Sequence, residues 1–79
     1  MWYLYILLCD NKTFYIDITN HLQARIKEHG DGRSFFTKKF KDVELVHQEW
    51  HPTKTSAEKR KEQIEGWNND QKLELIKKG

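Results

Sequence analysis

The sequence contains few of the residues on which several classes of protein depend. Its 79 residues include one cysteine, one proline, one methionine and four glycines. A single thiol, Cys9, cannot form an internal disulfide, and no pair of cysteines or histidines has the spacing of a structural zinc site. There is no glycine-rich phosphate loop, and the only serines, Ser34 and Ser56, lack the sequence context of a hydrolase nucleophile. The sequence therefore argues against structural zinc, nucleotide hydrolysis and acyl transfer.

Long apolar segments are also missing. The longest apolar run, Trp2 to Cys9, has eight residues, far below the ~20 residues that a membrane-spanning helix needs. No basic leader or small-residue cleavage site surrounds this run. A lone cysteine at the end of an apolar strand is expected to be a buried thiol, which fits a reducing compartment. We therefore expect a cytoplasmic protein without a membrane segment.

Aromatic residues compensate for a modest apolar fraction. Hydrophobic residues make up 37% of the chain and charged residues 33%, but four Phe, three Trp and three Tyr supply large side chains for burial. A chain of this length buries only roughly 60% of its unfolded surface. We therefore expect one domain over residues 1–79, with a thin core.

Positive charge is concentrated in the middle of the chain. The net charge of +2 and the pI of about 8.7 are too small to identify a nucleic-acid-binding protein on their own. Residues 21–42, however, have a net charge of +3 and contain three phenylalanines, whereas residues 1–20 have a net charge of −1. This segment is either a nucleic-acid contact or a loop that lysines keep soluble. Its basic residues are Arg25, Lys27, Arg33, Lys38, Lys39 and Lys41.

Hydrophobic patterning predicts three strands. The segment Trp2–Cys9 is apolar on both faces and too short for a typical helix, so we predict a buried strand. Turn residues follow, and Thr13–Ile18 then alternates apolar and polar positions, which places Tyr15 and Asp17 on one face. The segment Val43–Trp50 is the third predicted strand.

A first helix is predicted between the second and third strands. Asn20 is its N-cap candidate, its apolar stripe includes His29, and Gly30 ends it. Arg25 lies beside this stripe, one turn before its end. Residues 30–41 are predicted to form a long loop, and such a loop in so small a protein is typical of a binding surface.

Two further helices are predicted at the end of the chain. Thr55 and Glu58 form a capping box for the first of them, whose inward stripe includes Lys61 between apolar positions. A short last helix is predicted to have an asparagine cap and to direct two apolar residues inward. The cap and core positions are Asn68 or Asn69, Leu73 and Ile76. The predicted order is ββαβαα, which is an α+β fold.

Separated motifs occur in order along almost the whole chain. They are YLYILLC, FYIDIT, whose Tyr15 follows Tyr5 by ten residues, LQARIKEH, and a late KRKEQIEGW. This series resembles the GIY-YIG nuclease superfamily. It is most similar to small stand-alone bacterial members that are related to the N-terminal domain of the excinuclease C subunit. The resemblance implies a sheet of three antiparallel strands flanked by helices, with a shallow cleft that binds a DNA backbone.

The resemblance also assigns roles to four side chains. Tyr5 and Tyr15 match the tyrosines of the first two motifs, one polarising or deprotonating the attacking water and the other holding the phosphate. Arg25 matches a helix arginine that neutralises charge on the scissile phosphate, and His29 matches a residue that assists nearby. The implied activity is hydrolysis of DNA phosphodiester bonds with Mg²⁺ or Mn²⁺, on branched or damaged DNA in repair or recombination. A chain this small is also expected to need a protein partner for targeting.

Three positions depart from the family pattern. Asp17 stands where the second motif ends in glycine, and Lys61, six residues before Trp67, stands where the family has its metal-binding glutamate. Phe36 stands where relatives often have tyrosine. Glu62 cannot replace the missing glutamate without a shift of about 100° around the helix. An ammonium group in the metal position repels a divalent cation.

The two charge changes predict that Asp17 and Lys61 form an ion pair in one pocket. In a first hypothesis, Lys61 is a fixed positive charge in place of the metal, and the domain binds nucleic acid with hydrolysis weakened or lost. The predicted nucleic-acid contacts are Arg25, Arg33, Lys38, Lys39, Lys41 and Lys61.

Two other hypotheses remain open at this point. In one, Asp17 is a relocated metal ligand, aided by Glu58 or Glu62, and the protein is an active DNA endonuclease that depends on Mg²⁺ or Mn²⁺. A coordinating Asp17 oxygen would then lie within ~2.0–2.1 Å of a bound Mg²⁺. In the other, the domain is a protein-interaction module, which the modest net charge and three tryptophans favour. Phosphate contacts produce a steep salt dependence, and this distinguishes nucleic-acid binding from protein binding.

Overall fold

Three strands form a sheet that has helices on both of its faces. The computed structural model describes residues 1–30 and 39–78. Its elements, in chain order, are β1 (Trp2–Cys9), β2 (Thr13–Thr19), α1 (Leu22–Gly30), β3 (Val43–His51), α2 (Lys54–Glu65) and α3 (Asn69–Lys78). The predicted α+β class and the ββαβαα order are confirmed.

The central strand of the sheet is β1. The strand order is β2-β1-β3, and both pairings are antiparallel. Every residue from Leu4 to Leu7 is at most 1% exposed, which confirms that this strand is buried on both faces. Successive side chains of a strand point to opposite faces. One short run of large side chains therefore supplies the cores on both sides of the sheet.

Two hydrophobic clusters lie on the two faces of the sheet. On one face, Leu4 and Ile6 pack with Ile16 of β2 and Ile64 of α2. On the other face, which we call the α1 face, a second cluster packs against residues of α1. Its fully buried members are Tyr5, Leu7 and Cys9. The alternation that buries these residues also directs the tyrosines of β1 and β2 to the α1 face.

The turn between β1 and β2 is hydrogen bonded to the residues that precede β3. Asp10 and Asn11 have φ angles of 52° and 58°, in the left-handed region that Asp and Asn tolerate better than most residues. Asp10 Oδ1 accepts the backbone N–H groups of Lys41 at 3.0 Å and of Asp42 at 2.8 Å. One carboxylate therefore joins the hairpin turn to the chain that leads into β3.

The start of α2 differs from the prediction. Its N-cap is Thr53, whose Oγ1 accepts the backbone N–H of Ser56 at 3.1 Å. Thr55, which the sequence favours as the cap, lies inside the helix. The strand β3 runs on to His51, so only Pro52 and Thr53 remain for the chain to leave the sheet. The first threonine after the turn therefore becomes the cap.

Thr53→Ala is expected to lower the free energy of unfolding by about 1 kcal/mol, because the Ser56 N–H loses its acceptor. Thr55→Ala removes the same atoms from an exposed helical position and is expected to change this free energy by less than about 0.5 kcal/mol. Urea unfolding followed by circular dichroism measures both variants. Equal losses in the two variants would contradict the assignment of Thr53 as the cap.

The last helix has the predicted cap but packs a different leucine against the core. Asn68 Oδ1 accepts the N–H of Gln71 at 2.9 Å, and Gln71 Oε1 accepts the N–H of Asn68 at 3.0 Å, which forms a capping box. Leu75 packs against the core, whereas Leu73 is 41% exposed. The apolar residues of α3 are spread over more than one face, so their periodicity alone cannot select the one that packs against the core.

The two outer strands each extend one residue beyond the prediction. Thr19 pairs with Tyr3, and His51 pairs with Trp2. Pairing with the long central strand therefore sets these ends, which local patterning does not specify. Within residues 1–30 and 39–78, no helix is long and apolar enough to cross a membrane.

Candidate active site

Three rings, which we call the aromatic cluster, meet on the α1 face. Tyr5 of β1 and Tyr15 of β2 reach this face by strand alternation, and His29 reaches it from the last turn of α1. The ring centroids are 6.3 Å apart for Tyr5 and Tyr15, 5.9 Å for Tyr5 and His29, and 5.0 Å for Tyr15 and His29. The Tyr5 hydroxyl and His29 Nε2 are hydrogen bonded at 3.1 Å. The fold thus brings together three of the four predicted catalytic residues.

Burial controls the protonation of the aromatic cluster. Burial raises the pKa of Tyr5 far above its ordinary value, and the negative charge of Asp17 adds to this effect. Burial also raises the pKa of Tyr15 to about 12, with a further contribution from its hydrogen bond to Asp17. The pKa of His29 is lowered by burial and by the positive charge of Arg25. At neutral pH these three rings are therefore uncharged. The two phenol groups therefore act as hydrogen-bond donors, and neither tyrosine is suited to act as a base.

Arg25 supplies positive charge to this part of the α1 face. Its side chain is 44% exposed and forms an ion pair with Glu28 at 3.3 Å. Its charge acts on all three rings, because it opposes the rise in the pKa of Tyr5 and Tyr15 and lowers the pKa of His29. An exposed ion pair between residues one helical turn apart contributes little to the stability of the fold. The guanidinium can therefore exchange Glu28 for an incoming anion at low cost.

The predicted ion pair between β2 and α2 is present. Lys61 Nζ lies 3.5 Å from Asp17 Oδ1, and the two side chains are 31% and 27% exposed. Asp17 Oδ1 also accepts the backbone N–H of Ile18 at 2.8 Å, while Asp17 Oδ2 accepts the Tyr15 hydroxyl at 2.9 Å. Asp17 therefore links the aromatic cluster to the helix that carries Lys61.

The residues around Asp17 do not fit a divalent cation. Within the described ranges, no three His, Cys, Asp or Glu side chains form a group that could hold a metal ion. Both oxygens of Asp17 already accept hydrogen bonds, and one donor is an ammonium group, which repels a cation. Glu58 and Glu62 line a cavity of about 390 Å³ that Lys61 also lines. The ammonium therefore shares the space where these glutamates would meet a metal.

The basic residues of the central segment are described in part. Lys39 and Lys41 are exposed and lie just before β3. Lys39 Nζ is 5.4 Å from the centre of the Phe40 ring. Three other residues that the sequence singled out lie outside the described residues. They are Arg33, Phe36 and Lys38.

A second polar cluster was not predicted from the sequence. This Glu49 cluster consists of His47, Glu49 and His51 of β3 and Arg60 of α2. Arg60 Nε and Nη2 each donate to the Glu49 carboxylate at 3.0 Å. The Nε2 atoms of His47 and His51 lie 2.8 Å and 3.1 Å from the same carboxylate. The available signal was the alternate spacing of His47 and Glu49 in the predicted strand and of His51 just after it. The cluster joins β3 to the helix that carries Lys61.

Both the sequence and the fold are similar to those of known proteins. A profile of the GIY-YIG catalytic domain matches residues 1–74. A UPF0213 protein of Staphylococcus epidermidis is 35% identical over 78 residues, which cover 98% of this chain and 95% of that protein. A UPF0213 protein of Syntrophus aciditrophicus is 38% identical over 77 residues, which cover 95% and 88% of the two chains. The solution NMR structure of a UPF0213 protein from Bacillus halodurans matches with a TM-score of 0.63 and 26% identity, covering 98% of this chain and 84% of that chain. This chain therefore belongs to the GIY-YIG catalytic domain family, alongside these small UPF0213 proteins.

Proposed function

We propose that this protein binds nucleic acid through its GIY-YIG cleft and that phosphodiester hydrolysis there is weakened or lost. The observation that carries this proposal is the contact between Lys61 and Asp17 at 3.5 Å. It lies where the family resemblance places the metal-binding glutamate. A metal ion would polarise the phosphate and generate a hydroxide nucleophile. An ammonium group attracts a phosphate but does not activate water in this way.

The remaining groups of the cleft suit the binding of an anion. Arg25 presents a partly exposed guanidinium, whose planar set of donors matches phosphate oxygens. Tyr15 is protonated at neutral pH and can donate a hydrogen bond. A nucleic-acid backbone offers one negative phosphate per nucleotide to such groups. DNA is the proposed partner, and Lys39 and Lys41 would extend the basic surface toward β3.

Arg25→Ala is expected to weaken the binding of duplex DNA about tenfold, because a charge-assisted hydrogen bond to phosphate is lost. It should also reduce the slope of log K against log salt by about 0.9, the value for one phosphate contact. Fluorescence anisotropy with a labelled duplex, from about 50 mM to about 200 mM NaCl, measures both quantities. Lys27→Ala is the matched control, since it removes one positive charge from the same helix.

The same titrations, together with a cleavage assay, distinguish the other two functions. If the natural chain does not bind DNA at low salt, or binds it independently of salt, this result would contradict the proposal. It would favour a protein-interaction module. Cleavage of plasmid or branched DNA by the natural chain in Mg²⁺ or Mn²⁺, abolished by Asp17→Gly, would instead favour the active endonuclease with Asp17 as the relocated metal ligand. Equal effects of Arg25→Ala and Lys27→Ala on DNA binding would show that Arg25 is not part of the binding site.

A further inference from the structure

Three hydrogen-bond donors, two from β2 and one from α2, converge on the Asp17 carboxylate. The backbone N–H of Ile18 donates to Oδ1 at 2.8 Å, and Lys61 Nζ approaches the same oxygen at 3.5 Å. The Tyr15 hydroxyl donates to Oδ2 at 2.9 Å. A peptide N–H, an ammonium and a phenol thus surround one anion. This combination of donors is typical of sites that bind phosphate oxygens.

The position of these donors in the fold makes them accessible. The strand β2 is an edge strand of the sheet, so alternate backbone N–H groups have no ladder partner. The N–H of Ile18 is satisfied by a side chain instead. Ile18 and Lys61 both line the cavity of about 390 Å³ beside α2. An anion can therefore reach Lys61 and Ile18 from the open edge of the sheet.

We propose that Lys61, Tyr15 and the Ile18 N–H form a phosphate subsite, which Asp17 fills with its own carboxylate in the free protein. This inference rests on the proposed function and adds a regulatory feature to the same cleft. In the natural chain the Asp17 carboxylate keeps the bound strand out of the subsite, and a phosphate enters when the Asp17 side chain rotates out toward solvent or loses its charge. Asp17 is 27% exposed, and β2 has no neighbouring strand on that side, so this rotation has room. Asp17 is thus an internal competitor that weakens binding.

Asp17→Asn is the direct test, because it keeps the shape of the side chain and removes its charge. It is expected to increase the affinity for duplex DNA about tenfold at low salt, the effect of one additional charge-assisted contact. The salt slope should become steeper by about 0.9, since one more phosphate is neutralised. Glu65→Gln is the matched control. It removes one negative charge from the cavity that Ile18 and Lys61 line and leaves Asp17 in place, so it should change affinity less than about twofold.

Lys61→Met tests whether the gain comes from the subsite. In the natural background this change should have little effect on DNA affinity, since Lys61 is engaged with Asp17. In the Asp17→Asn background it should remove most of the tenfold gain. A double-mutant cycle over the two positions therefore yields a coupling that a general change of charge does not produce.

Inorganic phosphate provides a second probe that needs no DNA. In ¹H–¹⁵N spectra, the Ile18 amide should shift on titration with phosphate in Asp17→Asn at concentrations that leave it unchanged in the natural chain. The proposal is overturned if Asp17→Asn and Glu65→Gln have equal effects, if the gain survives Lys61→Met, or if phosphate leaves the Ile18 amide of Asp17→Asn unshifted. Each of these outcomes leaves the binding of DNA by the natural chain intact. Failure of the natural chain to bind DNA, in contrast, contradicts the proposed function itself.

Discussion

The double variant Asp17→Gly, Lys61→Glu is expected to nick supercoiled plasmid DNA in Mg²⁺ or Mn²⁺ on the order of 10²–10³ times faster than the natural chain. Loss of the metal site removes several kcal/mol of transition-state stabilisation, and each 1.36 kcal/mol corresponds to about tenfold in rate. The two changes restore the glycine and the glutamate that the family resemblance places at these positions. Both are needed, because the two natural side chains neutralise each other in one pocket.

The single variants are the internal controls for this experiment. Lys61→Glu alone places a second carboxylate beside Asp17, and like charges at that distance repel. Asp17→Gly alone leaves an unpaired ammonium where the metal would bind. We therefore expect both single variants to cleave slowly. Adding Arg25→Ala to the double variant should abolish the recovered cleavage, because phosphate charge in the transition state is no longer neutralised. Cleavage by the natural chain that matches the double variant would contradict the proposed function.

The arrangement of the cleft could be predicted from local sequence together with the family resemblance. The alternation of β2 places Tyr15 and Asp17 on one face, and the helical repeat of α2 places Lys61 on its inward side. The contact between Asp17 and Lys61 is expected because the family resemblance assigns both positions to one pocket. His29 falls at the end of the α1 stripe, which brings it to Tyr5. Periodicity thus assigns each side chain to a face of its own element, whereas the family resemblance implies which of these faces meet.

The features that local sequence does not specify depend on how elements pack together. The sequence offers two threonines for the start of α2, and the length of β3 decides between them. The apolar residues of α3 do not define one face, and docking on the core selects Leu75. The Glu49 cluster joins residues 11 positions apart on β3 and α2. The side chains that meet there are set by the crossing of a helix over a sheet, which periodicity alone cannot reveal.

Glu49→Gln is expected to lower the free energy of unfolding at pH 7 by about 3 kcal/mol. Burial alone would raise the pKa of Glu49, but hydrogen bonds from Arg60, His47 and His51 outweigh burial and lower this pKa to about 2. A depressed pKa means that folding favours the carboxylate. The resulting stabilisation is complete above the ordinary pKa of 4.5 and is lost as the pH falls from there toward 2. A shift of this size corresponds to about 3 kcal/mol at 1.36 kcal/mol per unit.

The pH dependence separates this charge effect from a simple loss of packing. The difference in unfolding free energy between the natural chain and Glu49→Gln should be about 3 kcal/mol at pH 7 and should approach zero near pH 2. Urea unfolding at a series of pH values measures this difference. Glu44→Gln, at an exposed position of the same strand, should change stability by less than about 0.5 kcal/mol at every pH. A difference for Glu49→Gln that stays constant with pH would show that the carboxylate contributes through its shape.

The Glu49 cluster holds Arg60, and Lys61 is the next residue of α2. Protonation of Glu49 between pH 4.5 and about 2 should therefore also weaken the attachment of α2, the helix that places Lys61 in the cleft.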